Sequence, residues 1–230
     1  MKKLTAILLV LLLLAAMTAC TVPAPSTTPE QTEPNTTTVP ATTVPAKQEG
    51  TLAGETVNNV YKNEFLGITC TLDEDWTVFN EEQLAQLVGV TLDIMDNDAL
   101  EAAMEKGAVV TAFFAQAMGG QLNMNISLER LNLVNGILLD EESYLAIAKD
   151  QVNSALSGMG LENITMENVK LQFAGQERHG LRLRGTLQGV DFYETLVCIK
   201  IGNYMANITV CSVGADHTDS MLELFQKLEN

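Results

Sequence analysis

Every proline of this chain lies between Pro23 and Pro45. The stretch from Thr21 to about Gly50 is rich in threonine and proline, a composition that cannot build a packed core and that makes a disordered spacer. As a coil it spans roughly 30 Å, and fully extended nearer 90 Å at about 3.1 Å per residue. Past Gly50 the pattern changes to periodic apolar segments with no proline, over a length that suits one domain.

The first residues follow a different rule. Lys2 and Lys3 precede an apolar run from Leu4 to Ala16, and Met17-Thr18-Ala19-Cys20 follows. That run is too short for a bilayer, which needs roughly 20 apolar residues, but it fits the core of a secretory signal. The small residues before Cys20 resemble the lipobox of bacterial lipoproteins, in which the cysteine thiol receives diacylglycerol and the chain is cut just before it. The resemblance implies a signal peptide over residues 1–19, a lipidated Cys20 opening the 20–50 spacer, and a folded domain over 51–230. It places the protein on the outer face of the cell membrane. Two or more acyl chains, diacylglycerol with or without palmitate, anchor stably where one does not.

The charge is −16, and it becomes −18 once Lys2 and Lys3 leave with the signal. No Lys/Arg cluster exists to displace counterions from a phosphate backbone, so nucleic acid is excluded as a partner. Cys70, Cys198 and Cys211 each lie inside an apolar, strand-like run and read as buried hydrophobes. None shares a short C-x-x-C spacing with another, as a zinc site commonly requires.

Within the domain, Val57 to Phe79 predicts two short strands carrying Tyr61, Phe65, Ile68, Leu72 and Trp76. Asn80 with Gln83 forms a capping box for a helix bearing Leu84, Leu87 and Val88, stopped at Gly89. A second helix covers Asp98 to Lys106, with Leu100, Ala103 and Met104 on one side. Ala108 to Ala117 is apolar on both alternations, which predicts a central strand. Gly119-Gly120 turns it so that Phe113, Ala115 and Ala117 oppose Ile126, Met124 and Leu122. Asp140 caps a helix to about Met159, whose inward stripe holds Leu145, Ala148, Val152, Ala155, Leu156 and Met159.

Strands follow over Ile164–Phe173, His179–Leu187, Asp191–Ile201 and Tyr204–Val213, then a helix lined by Met221, Leu224, Phe225 and Leu228. A two-residue turn at Gly202-Asn203 pairs Ile201 with Tyr204, Ile199 with Ala206, Val197 with Ile208 and Thr195 with Val210. The same register sets Cys198 opposite Asn207 and Cys211 opposite Glu194. The two thiols are then about 13 Å apart, beyond disulfide reach.

This order of elements predicts an α+β domain, an antiparallel sheet with helices packed on its faces. The run Tyr61-Lys62-Asn63-Glu64-Phe65-Leu66-Gly67-Ile68, with Leu72 and Trp76, resembles the opening of PsbP/Mog-like domains, although Asp73 stands where that family usually has proline. The resemblance implies an α/β/α sandwich over about Val57 to Leu228. The family includes an extrinsic photosystem II subunit, a Ran-binding import factor and many bacterial lipoproteins, the clostridial ones being most similar in style. Such breadth carries over no function and no functional residue.

The search for reactive residues assigns no catalytic, cofactor or metal site. His179 reads as a solvent-facing imidazole at the start of a strand, and His217 precedes a helix capped by Asp216 or Thr218. Ser212 lies five residues before His217 without a nucleophile elbow around it. Asp93, Asp96, Asp98 and Glu101 suit calcium in ligand type but lack EF-hand spacing, and read as a solvated turn. Trp76 reads as core, and Gly158-Met159-Gly160 ends a helix, the reverse of an anion site. The expectation is a non-catalytic binding or accessory module tethered at the cell surface, with an unknown protein or small molecule as partner. The alternatives are capture of a small ligand or divalent metal for a transporter, and an envelope hydrolase that would need His179 or His217 within hydrogen-bond reach of a nucleophile.

Overall fold

Local turn chemistry accounts for most of the strand order. The computed structural model describes residues 51–80, 82–84, 97–132, 136 and 138–229. The signal, Cys20, the spacer, Leu87 to Gly89, Asp93 and Asp96 lie outside the described residues. Strands β1 (Glu55–Val57) and β2 (Val60–Asn63) meet at Asn58-Asn59, where both residues have positive φ. Strands β7 (Leu161–Phe173), β8 (Gln176–Leu187) and β9 (Val190–Ile201) are joined by Ala174-Gly175 and Gln188-Gly189, again with both φ positive. Such turns match the right-handed twist of the flanking strands. Gly202, at φ +57°, opens the turn from β9 to β10 (Tyr204–Val213).

The expected registers are present. Ile201, Ile199, Val197 and Thr195 pair with Tyr204, Ala206, Ile208 and Val210, and Cys198 and Cys211 oppose Asn207 and Glu194. All three of Cys70, Cys198 and Cys211 are free and buried. Strand β5 (Val110–Ala117) runs through a short 3-10 turn at Met118–Gly120 into β6 (Leu122–Arg130), with Phe113, Ala115 and Ala117 opposite Ile126, Met124 and Leu122. Asp140 accepts a hydrogen bond from Ser143 N at 2.8 Å and opens helix α2 (Glu141–Gly158). Asn80 and Gln83 exchange side-chain-to-backbone bonds at 2.9 Å, completing the capping box. Leu100 and Met104 are the buried positions of α1 (Asn97–Glu105).

Two predicted features differ. The alternation predicts one antiparallel sheet, but the chain builds two. Strands β1, β2, β3 (Ile68–Thr71) and β11 (Phe225–Lys227) form a four-stranded sheet, while β4 (Thr77–Val78) joins a seven-stranded one in the order β4-β5-β6-β10-β9-β8-β7. Strand β5 is thus one place in from an edge instead of central. Its two-sided burial comes from coverage on both faces.

The C-terminus also departs from the predicted helix. Helix α3 stops after Thr218–Leu222, and the chain extends so that Phe225 pairs with Cys70 and Lys227 with Ile68. Phe225 is 1 % exposed and packs on Phe173 with ring centroids 5.3 Å apart. The open edge of β3 supplies the backbone partners that a last helical turn would have supplied itself.

The fold is therefore α+β, with two antiparallel sheets and few helices. One face of the large sheet, formed by Phe113, Met124, Ile126, Val197, Ile208 and their neighbours, packs against the small sheet and α1. Tyr61 stacks on Phe113 at 4.4 Å across that layer. The opposite face carries α2, through Tyr144, Leu145, Ala148, Val152 and Leu156. None of the described helices is long and apolar enough to cross a bilayer.

Candidate functional site

Strand β6 alternates sharply. Leu122, Met124, Ile126 and Leu128 point at the small sheet, so Asn123, Asn125, Ser127 and Glu129 belong to the other face. In a one-sided sheet these polar residues would meet water. Here Asn123, Asn125 and Ser127 are only 2 %, 7 % and 5 % exposed. The polar face continues onto β10 with Asn207, Thr209 and Cys211, and onto β9 with Glu194, all buried.

Two hydrogen-bonded groups occupy this face. The first runs from Cys198 Sγ to Asn207 Oδ1 at 3.2 Å, from Asn207 Nδ2 to Tyr144 Oη at 2.9 Å, and from the Tyr144 hydroxyl to the Glu129 carboxylate. It ties α2 to three strands. Burial raises the Glu129 carboxyl above its usual range, and the bonds from Tyr144 and Asn207 pull it partly back. Burial, with the Glu129 charge beside it, raises the Tyr144 hydroxyl too. In the second group Cys211 Sγ donates to Glu194 Oε2 at 3.3 Å. Burial pushes the Glu194 carboxyl up to about 7, a shift that the thiol donor only partly offsets.

Asn123 Oδ1, Asn125 Nδ2 and Gln116 Oε1, also on this face, are buried without a hydrogen-bond partner among the described residues. Gln116, Asn123, Cys211 and Glu194 sit on one rung across β5, β6, β10 and β9, and Asn125 lies on the next. A buried polar atom left unpaired costs about 1–3 kcal/mol, so several on one patch call for an explanation beyond packing.

A separate open recess of about 140 Å³ lies where the first turn of α2 meets β7 and β8, bounded by Glu142, Asn168, Lys170 and His179. His179 Nδ1 stands 3.9 Å from Glu142 Oε2, and Arg178 clamps Glu141 at 2.7 Å while Lys200 N donates to the same carboxylate at 3.1 Å. His179 is therefore half-buried against a helix, where the sequence predicts an imidazole facing solvent.

The remaining candidates fall apart from one another. His217 is exposed, and it is its backbone N, not its imidazole, that donates to Ser212 Oγ, at 3.3 Å. Ser212 in turn donates to Ala215 O. The N-cap residue of α3 is His217, which makes no side-chain cap bond, where the sequence predicts Asp216 or Thr218; Asp216, one residue earlier, accepts from Thr218 N at 3.1 Å and from Thr218 Oγ1 at 2.7 Å. Trp76 packs at the margin of the core between the sheets. Asp98 and Glu101 belong to α1, and among the described residues no three His, Cys, Asp or Glu side chains gather as a metal site would require. Burial pushes the Cys70 thiol up to about 12 and raises those of Cys198 and Cys211, so none is a ready nucleophile at neutral pH.

Sequence reasoning passes over Gln116, Asn123, Asn125, Glu129, Tyr144, Glu194 and Asn207. The available signal is the run of four polar residues at alternate positions of β6, which reads as a wet face unless something covers it.

The sequence matches no protein-family model and no curated protein. Among solved structures, the chain is similar to one from Bacteroides thetaiotaomicron VPI-5482 at 10 % identity and TM-score 0.35, over 71 % of this chain and 46 % of that one. A Pseudomonas aeruginosa protein of unknown function aligns at 13 % identity and TM-score 0.26, over 44 % of this chain and 62 % of its own. The chain thus spans less than two thirds of either structure.

Proposed function

We propose that this chain is an extracytoplasmic bacterial lipoprotein, held to the outer face of the cell membrane through lipid on Cys20, whose domain is a non-catalytic binding or accessory module. The observation that carries the anchor is the short apolar leader ending in Ala19-Cys20, followed at once by a Thr/Pro spacer. The binding reading rests on the polar face of the large sheet, which gathers amides and buried acids instead of an activated nucleophile beside a base. We also read the domain as PsbP/Mog-like. Tyr61 and Ile68 of the resembling segment are core residues, and the last strands form the long hairpin that likeness implies.

The test of the anchor is direct. In the host, metabolic labelling with a clickable fatty acid should mark the wild-type chain, while Cys20→Ala should go unlabelled and appear in the medium. Full membrane retention of the unlabelled variant would overturn the proposal.

A further inference from the structure

We infer that the open recess between helix α2 and strands β7 and β8 binds a small zwitterion of the α-amino-acid class, its ammonium on Glu142 and its carboxylate on Lys170 and His179. The inference rests on the reading of the domain as a binding module and names its site and ligand class.

The strand side of the recess is basic and the helix side acidic. Lys170 and His179 are directly opposed on β7 and β8, and both line the recess. Residues opposed in this way have Cβ atoms about 5 Å apart, so a single carboxylate can reach both head groups. Lys170 offers several N–H donors, and His179, charged or neutral, always has one. Glu142 lines the same recess from the first turn of α2, with its Oε2 3.9 Å from His179 Nδ1. That separation is too long for a hydrogen bond, and among the described residues Glu142 has no other partner. Its neighbour Glu141 is already engaged, by Arg178 at 2.7 Å and Lys200 N at 3.1 Å, which leaves Glu142 as the acid of the site. The ion pair that occupies Lys170, with Glu177 at 3.1 Å, joins side chains 60 % and 59 % exposed, so water already screens it and a ligand replaces it at little cost.

Charge and volume together select the ligand. A lone carboxylate would satisfy Lys170 but bring a second negative charge beside Glu142, and a lone ammonium would satisfy Glu142 beside Lys170. An uncharged molecule answers neither. An α-amino acid carries both charges on neighbouring groups, and Leu145 and Val169 add apolar lining for a small side chain. The recess, about 140 Å³, is close to the roughly 150 Å³ that holds one benzene ring, and alanine has as many heavy atoms as benzene. Unlike the covered polar face of the large sheet, it opens to solvent, so a ligand reaches it without parting packed layers.

The test uses the full-length lipoprotein in detergent micelles, isotope-labelled on its two histidines and followed by NMR at fixed pH. His217, exposed and outside the recess, is the internal reference. Glycine, L-alanine and D-alanine are the probes, and acetate and methylammonium, each one end of the zwitterion, are the controls. At least one probe should move the His179 ring signals saturably while those of His217 stay in place, and both controls should bind about tenfold more weakly or worse. Glu142→Gln and Lys170→Gln change exposed side chains and leave the Asp140 cap intact, so both variants keep the fold. Each should weaken that probe about tenfold, the lower end for a hydrogen bond to a charged group. Silence with all three amino acids, a control that binds as tightly as they do, joint movement of both histidines, or full affinity in either variant would overturn the inference. A silent titration beside a released Cys20→Ala protein would remove the ligand class and leave the anchored-module reading standing.

Discussion

Glu194 should make the stability of this domain fall as pH rises through neutrality. Its carboxyl is fully enclosed between β8 and β10, and burial lifts it from 4.5 to about 7, while the thiol of Cys211 donates a hydrogen bond that offsets only part of that rise. The folded state then holds a proton that the unfolded chain releases above pH 4.5. The stabilisation is complete below about pH 4.5 and is lost progressively up to about pH 7. At about 1.4 kcal/mol for each pH unit between the two values, the loss is roughly 3 kcal/mol, or about 6–12 °C in the melting midpoint of a domain this size. Glu129 is also raised and acts in the same direction, so the comparison must be made against a variant. Glu194→Gln keeps the shape and removes the titration. Thermal melts of both proteins at half-unit steps from pH 4.5 to 8.5 should show the wild-type midpoint dropping toward neutrality by that margin relative to the variant. Parallel curves would show that the Glu194 carboxyl is solvated and that the reasoning from its burial is wrong.

Other consequences follow from the same contacts. Tyr144→Phe strips the hydroxyl that bonds both Glu129 and Asn207 and should cost about 1–3 kcal/mol in urea unfolding, whereas a neutral result would mean the network is open to water. Phe225→Ala empties a fully buried site against Phe173 and should cost about 3–5 kcal/mol, a loss incompatible with a frayed terminus. Mass spectrometry of the unreduced protein should find Cys198 and Cys211 as free thiols, since they lie four rungs apart on paired strands, about 13 Å, and a bond between them would contradict the hairpin register.

Much of the sheet was legible before any tertiary contact was known, and the terminal hairpin shows why. Gly202-Asn203 sets the turn, and the period-two alternation of Val197, Ile199, Ala206 and Ile208 leaves one pairing that keeps a face apolar. Caps are equally local, because Asp140 reaches Ser143 within a single turn of helix. The candidate site was not legible. Asn123, Asn125 and Glu194 are ordinary outward residues of half-buried strands when read along the chain, and nothing within a few residues of them says what lies above.

The sequence by itself determined the turns, the hairpin registers and the helix caps, since these depend on hydrogen bonds and side-chain periods spanning a few residues. Only the tertiary structure decided that the first strands and the last form a second sheet. Phe225 finds its partner at Cys70, and that pairing outweighs the helical period of Met221, Leu224 and Leu228. The same packing of layers on both faces of the large sheet turned a polar face that alternation assigns to water into a buried one. Burial is a property of what covers a residue, and the sequence around Asn123 carries no record of it.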